Sequence, residues 1–224
     1  MVNREEIAKF NNQSMGEEIA NAISHGVGTL LAIAGCAVAI VYACFHGDAR
    51  SIVSASLYGA GLILLYLFST LYHSITNIKA KRVLQIFDHC SIFILILSSY
   101  IPISLSLLRG ALGWTLFGIN AFCTVVGIVL NAVDMKRWQK LSMVLYIVMG
   151  WSAVAVFYPM IHTLRVSASA LALLVGGGLC YTGGVFFYKM KKVRYMHYVW
   201  HLFVLAGSVF HFFFILFYTL PVAK

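Results

Sequence analysis

Two histidines one helical turn apart, His197 and His201, are the residues whose type and spacing point most directly to chemistry. A spacing of four residues places both imidazoles on the same face of a helix. His73 and Asp88 are two further ionisable side chains near the ends of apolar segments. Ionisable groups inside a membrane are energetically costly, and they typically mark a functional site. Three imidazoles and one carboxylate at a common depth would therefore form a metal site.

Zinc is the metal that this set of residues favours. A catalytic zinc site usually has three protein ligands and one position left open for water, and neutral imidazole is a good ligand. His73, His197 and His201 would be the three ligands. Ser69 lies on the same helix face as His73, and Ser69 or Asp88 could hydrogen-bond the water, with Asp88 as general base. From the residues alone, a purely structural role for these histidines stays open, since a buried histidine is more often a hydrogen-bonded core residue.

The composition places these residues in a membrane protein. The chain has 224 residues, of which 61% are hydrophobic and 10% are charged. Charged residues make up about 25% of a soluble domain. The formal net charge of +9 does not predict nucleic-acid binding, because the basic residues lie in short loops between apolar segments. In such loops they act as topology signals and contact anionic lipid.

Seven apolar segments predict an all-α, seven-transmembrane helix bundle, since each is close to the ~20 residues that a spanning helix needs. Residues 1–21 are predicted to form a short cytoplasmic tail, residues 22–220 a single transmembrane domain, and residues 221–224 an external tail. The predicted spans are 22–44, 52–75, 86–108, 112–133, 141–159, 166–188 and 197–220.

The basic residues predict the orientation of the bundle. Of the 16 lysines and arginines, four fall on one side of the predicted spans: Arg50, Arg109, Arg165 and Lys224. The other twelve fall on the opposite side: Arg4, Lys9, Lys79, Lys81, Arg82, Lys136, Arg137, Lys140, Lys189, Lys191, Lys192 and Arg194. The positive-inside rule places the larger group, and with it the amino terminus, in the cytoplasm. The carboxyl terminus is then outside, and the four candidate site residues lie near the cytoplasmic face.

Three other ionisable residues lie close to this layer. His25 and Glu18 fall at the start of the first segment, and His25 is interpreted as a supporting residue and not a ligand. His89 follows Asp88 and points about 100° away from it on a helix. The sequence does not determine the roles of these three residues.

Several motifs together resemble those of the hemolysin III family, which is related to the progestin and adipoQ receptors and more distantly to alkaline ceramidases. The similarity extends from about Glu17 to Tyr218. The amino-terminal pattern resembles that of the bacterial branch. The motifs are Glu17-Glu18-Ile19-Ala20-Asn21, Ser24-His25-Gly26, Ser69-Thr70-Leu71-Tyr72-His73, Phe87-Asp88-His89-Cys90 and His197-xxx-His201.

The resemblance implies a seven-helix bundle with zinc near its cytoplasmic face. In the adiponectin-receptor relatives, one histidine of helix 2 and two of helix 7 hold the zinc, and an aspartate of helix 3 acts through water. These roles carry over to His73, His197, His201 and Asp88, and a supporting serine role carries over to Ser69. The short bacterial form implies a multi-pass protein of the inner membrane.

Three functions follow from these features as hypotheses. The first is a zinc-dependent hydrolase, similar to a ceramidase, that cleaves an amide or ester in a membrane lipid or another fatty-acyl substrate. The second follows the family name and is a pore-forming cytolysin. The third is a non-enzymatic sensor or regulator of the membrane with structural zinc. The sequence identifies neither the substrate nor the oligomeric state.

Overall fold

The computed structural model describes residues 10, 12–162, 164 and 166–221, and these residues are almost entirely helical with no strand among them. Four of the basic residues used to predict the orientation, Arg4, Lys9, Arg165 and Lys224, lie outside the described residues, as does most of the predicted external tail. The helices are α1 (Met15–His46), α2 (Ala49–Ser74), α3 (Ile78–Ile101), α4 (Gly110–Trp151), α5 (Phe157–His162), α6 (Ala168–Lys189) and α7 (Met196–Phe214).

Within the described residues, six helical stretches are long and apolar enough to cross a membrane. The fourth, Gly110–His162, contains 53 residues. At 1.5 Å per residue it would extend over roughly 80 Å, which is more than twice the ~30 Å hydrocarbon core. Asp134 interrupts it with non-helical backbone angles, φ −157° and ψ 87°. This break lies between the predicted spans 112–133 and 141–159, so a count of seven crossings requires the chain to turn back at Asp134.

The distribution of side chains is that of a multi-pass membrane protein. Large apolar side chains cover the outside of the bundle, and Phe45 and Val133 are 77% and 75% exposed. Polar side chains such as those of Asn120 and Asn131 are buried inside it. A soluble protein has the opposite arrangement, with most polar side chains at its surface.

Two helices begin earlier than the apolar segments predict, because polar residues cap them. α1 begins at Met15 and not near residue 22, since Ser14 and Glu17 form a capping box. α3 begins at Ile78 and not near residue 86, since the Asn77 side chain accepts hydrogen bonds from two backbone N–H groups of the first turn. Asp88 consequently lies ten residues inside α3, which corrects the expectation that it begins the helix.

π-Helical turns extend two of the helices. α3 continues as a π-helix over Pro102–Leu108, and α7 continues over Ile215–Thr219. Pro102 has no backbone N–H, so the regular hydrogen-bond pattern of α3 cannot continue through it. A wider π-helical turn follows from Pro102 onwards in place of the regular α-helix.

An ion pair joins two helix junctions at one end of the bundle. The Arg109 Nη2 lies 2.8 Å from the Asp48 Oδ2, which links the junction of α3 and α4 to the junction of α1 and α2. Asp48 also caps α2 by accepting a hydrogen bond from the Ser51 backbone N–H. This hydrogen bond, with the Arg109 guanidinium as a smaller contribution, holds the pKa of Asp48 below its usual value.

The other end of the bundle brings together the parts of the chain that carry the predicted site. α1 packs against α2 and α7, α2 packs against α3, and α6 packs against α7. The starts of α1, α3 and α7 therefore meet the end of α2. Close approach requires glycine at two of these contacts: a Cβ on Gly28 would lie 2.6 Å from the Tyr66 ring, and one on Gly184 would lie 2.7 Å from the Trp200 ring.

Candidate metal centre

Three histidines from two helices converge at this end of the bundle. His73 lies in the last turn of α2, and His197 and His201 lie in the first two turns of α7. One ring nitrogen from each lies within 4.8 Å of the others. His73 and His201 are buried, and His197 is partly buried. The structure thus brings together the three residues that the sequence singles out as ligands.

The cluster suits a metal ion in both size and chemistry. In a tetrahedral zinc site with Zn–N bonds of about 2.0–2.1 Å, the ligand atoms are roughly 3.4 Å apart, so the rings need to shift by the order of 1 Å to close around an ion. The Nε2 of His73 is buried without a hydrogen-bond partner. A buried polar atom without a partner is costly, and coordination of a cation would satisfy it.

A buried carboxylate holds the ring of His73 in place. Its Nδ1 lies 2.9 Å from the Oε2 of Glu18 in α1. The Nζ of Lys81 in α3 lies 2.8 Å from the same oxygen and also donates to the backbone oxygen of Tyr72 at 2.7 Å. Because a carboxylate only accepts hydrogen bonds, the Nδ1 of His73 carries the proton. The other ring nitrogen, Nε2, is then the atom of His73 that can coordinate a metal.

His201 is held by a second residue of α1. Its Nδ1 lies 3.2 Å from the Ser24 Oγ, which also donates to the backbone oxygen of Asn21 at 2.8 Å. A hydroxyl has one proton, so Ser24 accepts from His201 and the Nδ1 of this ring is protonated as well. The ring of His25 stacks on that of His201 at a centroid distance of 3.6 Å. His25 therefore contacts one of the three clustered histidines, and its supporting role stays a prediction.

Asp88 and Ser69 line the same cavity as His197 and His201. Ser69 is buried one turn before His73 on α2. Asp88 is partly buried, and its Oδ2 lies 3.7 Å from the Nδ1 of His89. That nitrogen also lies 2.9 Å from the backbone oxygen of Gln85, so the imidazole of His89 is directed along its own helix.

The cavity extends from the histidines into the apolar interior of the bundle. Its volume is about 150 Å³, and most of its lining side chains are apolar. His201 lines one end, and Phe214 lies on the same helix thirteen residues further on, which is roughly 20 Å. Ile103 and Ile215, in the two π-helical turns, line the deep part with Phe214. The shape suits a molecule with one polar group and a long apolar chain.

The sequence did not predict the contacts that Glu18, Ser24 and Lys81 make at this site. Lys81 belongs to the basic group taken as loop charges, yet its side chain is 1% exposed and pairs with Glu18. The sequence places Glu18 close to the layer of the site and within a motif of the family resemblance, but neither feature indicates a contact with His73. Ser24 precedes His25 in a motif of the family resemblance, but nothing in its residue type indicates a contact with α7.

Most of the sequence is similar to a known protein family. The profile of the family described as "Haemolysin-III related" matches residues 13–212. The chain belongs to this family. "Hemolysin-3" of Bacillus cereus is 42% identical over 212 residues, covering 95% of this chain and 96% of the relative. "Hemolysin-3 homolog" of Bacillus subtilis (strain 168) is 44% identical over 206 residues, covering 92% and 96%.

A more distant relative comes from an animal. "Monocyte to macrophage differentiation factor" of Homo sapiens is 27% identical over 212 residues, covering 88% of this chain and 82% of the relative. The part of the chain that matches the haemolysin III family contains all three histidines of the cluster, Asp88, and Glu18. The resemblance noted in the sequence motifs is therefore confirmed.

Proposed function

We propose that this haemolysin III family protein is a zinc-dependent hydrolase of a lipid amide or ester in the bacterial inner membrane. The observation that carries the proposal is the cluster of three imidazoles, two of which, His197 and His201, line an apolar cavity together with Asp88 and Ser69. A ligand set with three histidines leaves one coordination position for chemistry. The six long apolar helical stretches support a membrane location, and the relatives from Bacillus support a bacterial one.

The residues divide the chemistry between them. His73, His197 and His201 would hold the zinc, which would supply a Lewis acid that polarises a carbonyl and lowers the pKa of water towards about 7. Asp88 accepts the proton of the water that attacks the scissile carbonyl and returns it to the leaving amine or alcohol. Ser69 hydrogen-bonds and orients the reacting groups. The apolar part of the cavity binds the acyl chain and excludes bulk water.

We place this centre near the cytoplasmic face of a bundle with seven crossings. The break at Asp134 supports the count, because it divides a 53-residue stretch that is far too long for one crossing. The basic residues Lys136, Arg137 and Lys140 follow the break directly. Their clustering supports a cytoplasmic turn at this point.

The orientation can be tested with reporter fusions. A reporter that is active only outside the cytoplasm should work when fused after Lys224 and should fail when fused after Lys192, because the twelve clustered basic residues keep their side inside. A fusion after Arg109 is the control and should be active. The reverse pattern would contradict both the topology and the cytoplasmic position of the histidines.

Two other functions remain as alternatives. The relatives named "Hemolysin-3" and "Hemolysin-3 homolog" favour a membrane-lytic protein. The tight pairing of Glu18 with Lys81 and His73 favours a metal centre that is structural, in a non-enzymatic sensor or regulator of the membrane. Neither alternative explains why Asp88 and Ser69 line a cavity together with His197 and His201.

An assay with defined vesicles separates the three functions. Zinc-loaded protein, reconstituted in vesicles that contain ceramide or phospholipid and an entrapped dye, should release fatty acid and retain the dye. Removal of zinc with a chelator should stop the release, because the scissile carbonyl is then no longer polarised. Added zinc should restore the release. Dye leakage without fatty-acid release would favour the lytic function. Zinc binding with neither effect on any of these lipids would favour the sensor.

A further inference from the structure

The first helix contacts two of the three histidines from the side opposite the cluster. Glu18 accepts a hydrogen bond from the Nδ1 of His73 at 2.9 Å, and Ser24 accepts one from the Nδ1 of His201 at 3.2 Å. Each contact occupies the same ring atom, Nδ1, of a different ligand. Both rings therefore have Nε2 left as the nitrogen with a free lone pair.

We propose that Glu18 and Ser24 are positioning residues that fix His73 and His201 as Nε2 ligands of the metal, with Lys81 holding Glu18 in place. The inference rests on the proposed metal centre and adds the residues that orient it. Metal-binding histidines commonly donate their second N–H to a carboxylate or another oxygen, which sets the tautomer and the ring orientation. α1 would thus be part of the site although it provides none of the three ligands.

Lys81 explains how a carboxylate can be buried at this position. Its Nζ donates to the Glu18 Oε2 and to backbone oxygens of Tyr72 and Ile75 at the end of α2. The side chains of Lys81 and Glu18 are 1% and 2% exposed. A buried charge is tolerated when it is paired and hydrogen-bonded, and here the pair joins α1, α2 and α3 around His73.

A second contact of α1 supports the same role at the start of α7. The Oε1 of Glu17 accepts a hydrogen bond from the backbone N–H of Tyr195 at 2.7 Å. Tyr195 has a left-handed backbone conformation, φ 62°, and directly precedes α7. This contact fixes the position of the first turn of α7, which contains His197. The three ligands are therefore each tied to α1, directly or through the backbone.

The double variant Glu18→Leu/Lys81→Met tests the proposal. It removes both charges, so no lone charge remains buried and the bundle can fold, but His73 loses its acceptor. We expect zinc affinity of the full-length protein in detergent to fall by about 10- to 100-fold, as is usual when such a partner is lost. The visible absorption of bound Co²⁺ should change as well, because His73 would no longer be held in one orientation. Glu18→Gln keeps an acceptor and should lose less affinity.

The matched control is Asp48→Asn/Arg109→Met. It removes an ion pair of the same 2.8 Å length at the other end of α1 and should bind zinc like the wild type. Ser24→Ala is an independent variant with little effect on packing, and it should weaken zinc binding by roughly tenfold. Wild-type zinc affinity in both the folded Glu18→Leu/Lys81→Met variant and Ser24→Ala would overturn this inference and would leave the proposed metal centre in place. A wild-type protein that binds no zinc would overturn the proposed metal centre and the inference with it.

Discussion

His201→Ala should remove nearly all of the zinc and all of the proposed lipid hydrolysis. The wild-type protein, purified without chelators, should contain about one zinc per chain, since the cluster offers three imidazoles within 4.8 Å. Two remaining imidazoles form an incomplete site, and a catalytic zinc usually has three protein ligands. Metal analysis of the purified variant beside the wild type measures the effect directly.

The matched control for this variant is His211→Ala. His211 is a histidine on the same helix, about 15 Å further along, and its Nε2 hydrogen-bonds the backbone oxygen of Leu174 at 3.1 Å. Because it is outside the cluster, its replacement should leave the zinc content unchanged. Equal zinc content in His201→Ala and the wild type would contradict the assignment of His201 as a ligand.

The sequence predicted the cluster of three histidines because their spacing and depth are encoded locally. His197 and His201 are four residues apart, so any helix places them on one face. His73 ends an apolar segment, and the order of the basic residues indicates which end of each segment faces the cytoplasm. Such features depend on the helix period and the membrane thickness and not on tertiary packing. The structure confirms that these three residues come together.

The buried contact between Glu18 and Lys81 could not be predicted in the same way. Lys81 and Glu18 are 63 residues apart, and their contact depends on how α1 and α3 pack. A lysine next to Lys79 and Arg82 has the same local pattern as a solvated loop charge. Its burial follows from the early start of α3, which the Asn77 cap sets. Charge counting therefore treated Lys81 as a solvated loop charge, whereas its side chain is buried and paired with Glu18.

The number of crossings illustrates a similar limit. The charges around Asp134 separate two apolar segments in the sequence, and the non-helical backbone of Asp134 divides α4 into two helices at the same place. The backbone angles of a single residue then decide whether the chain turns, and hydropathy does not report them.

Asp88→Asn should retain most of the zinc while losing the proposed hydrolysis. Asparagine has nearly the size of aspartate, but its amide cannot accept a proton from water. Asp88 lines the cavity beside His197 and His201 without belonging to the three-histidine cluster. The expected loss of fatty-acid release is therefore the roughly 10²–10⁴-fold typical of a missing general base, with zinc content close to that of the wild type. His201→Ala differs because it should lose both properties.

The control for this variant is Asp134→Asn. The Asp134 carboxylate caps a turn by accepting a hydrogen bond from the backbone N–H of Arg137 at 3.0 Å, and asparagine caps equally well. This variant should therefore keep both zinc and activity. Fatty-acid release by Asp88→Asn at the wild-type rate would exclude Asp88 as the base. Loss of zinc together with activity would instead show that Asp88 helps to hold the metal and would contradict its role as a general base alone.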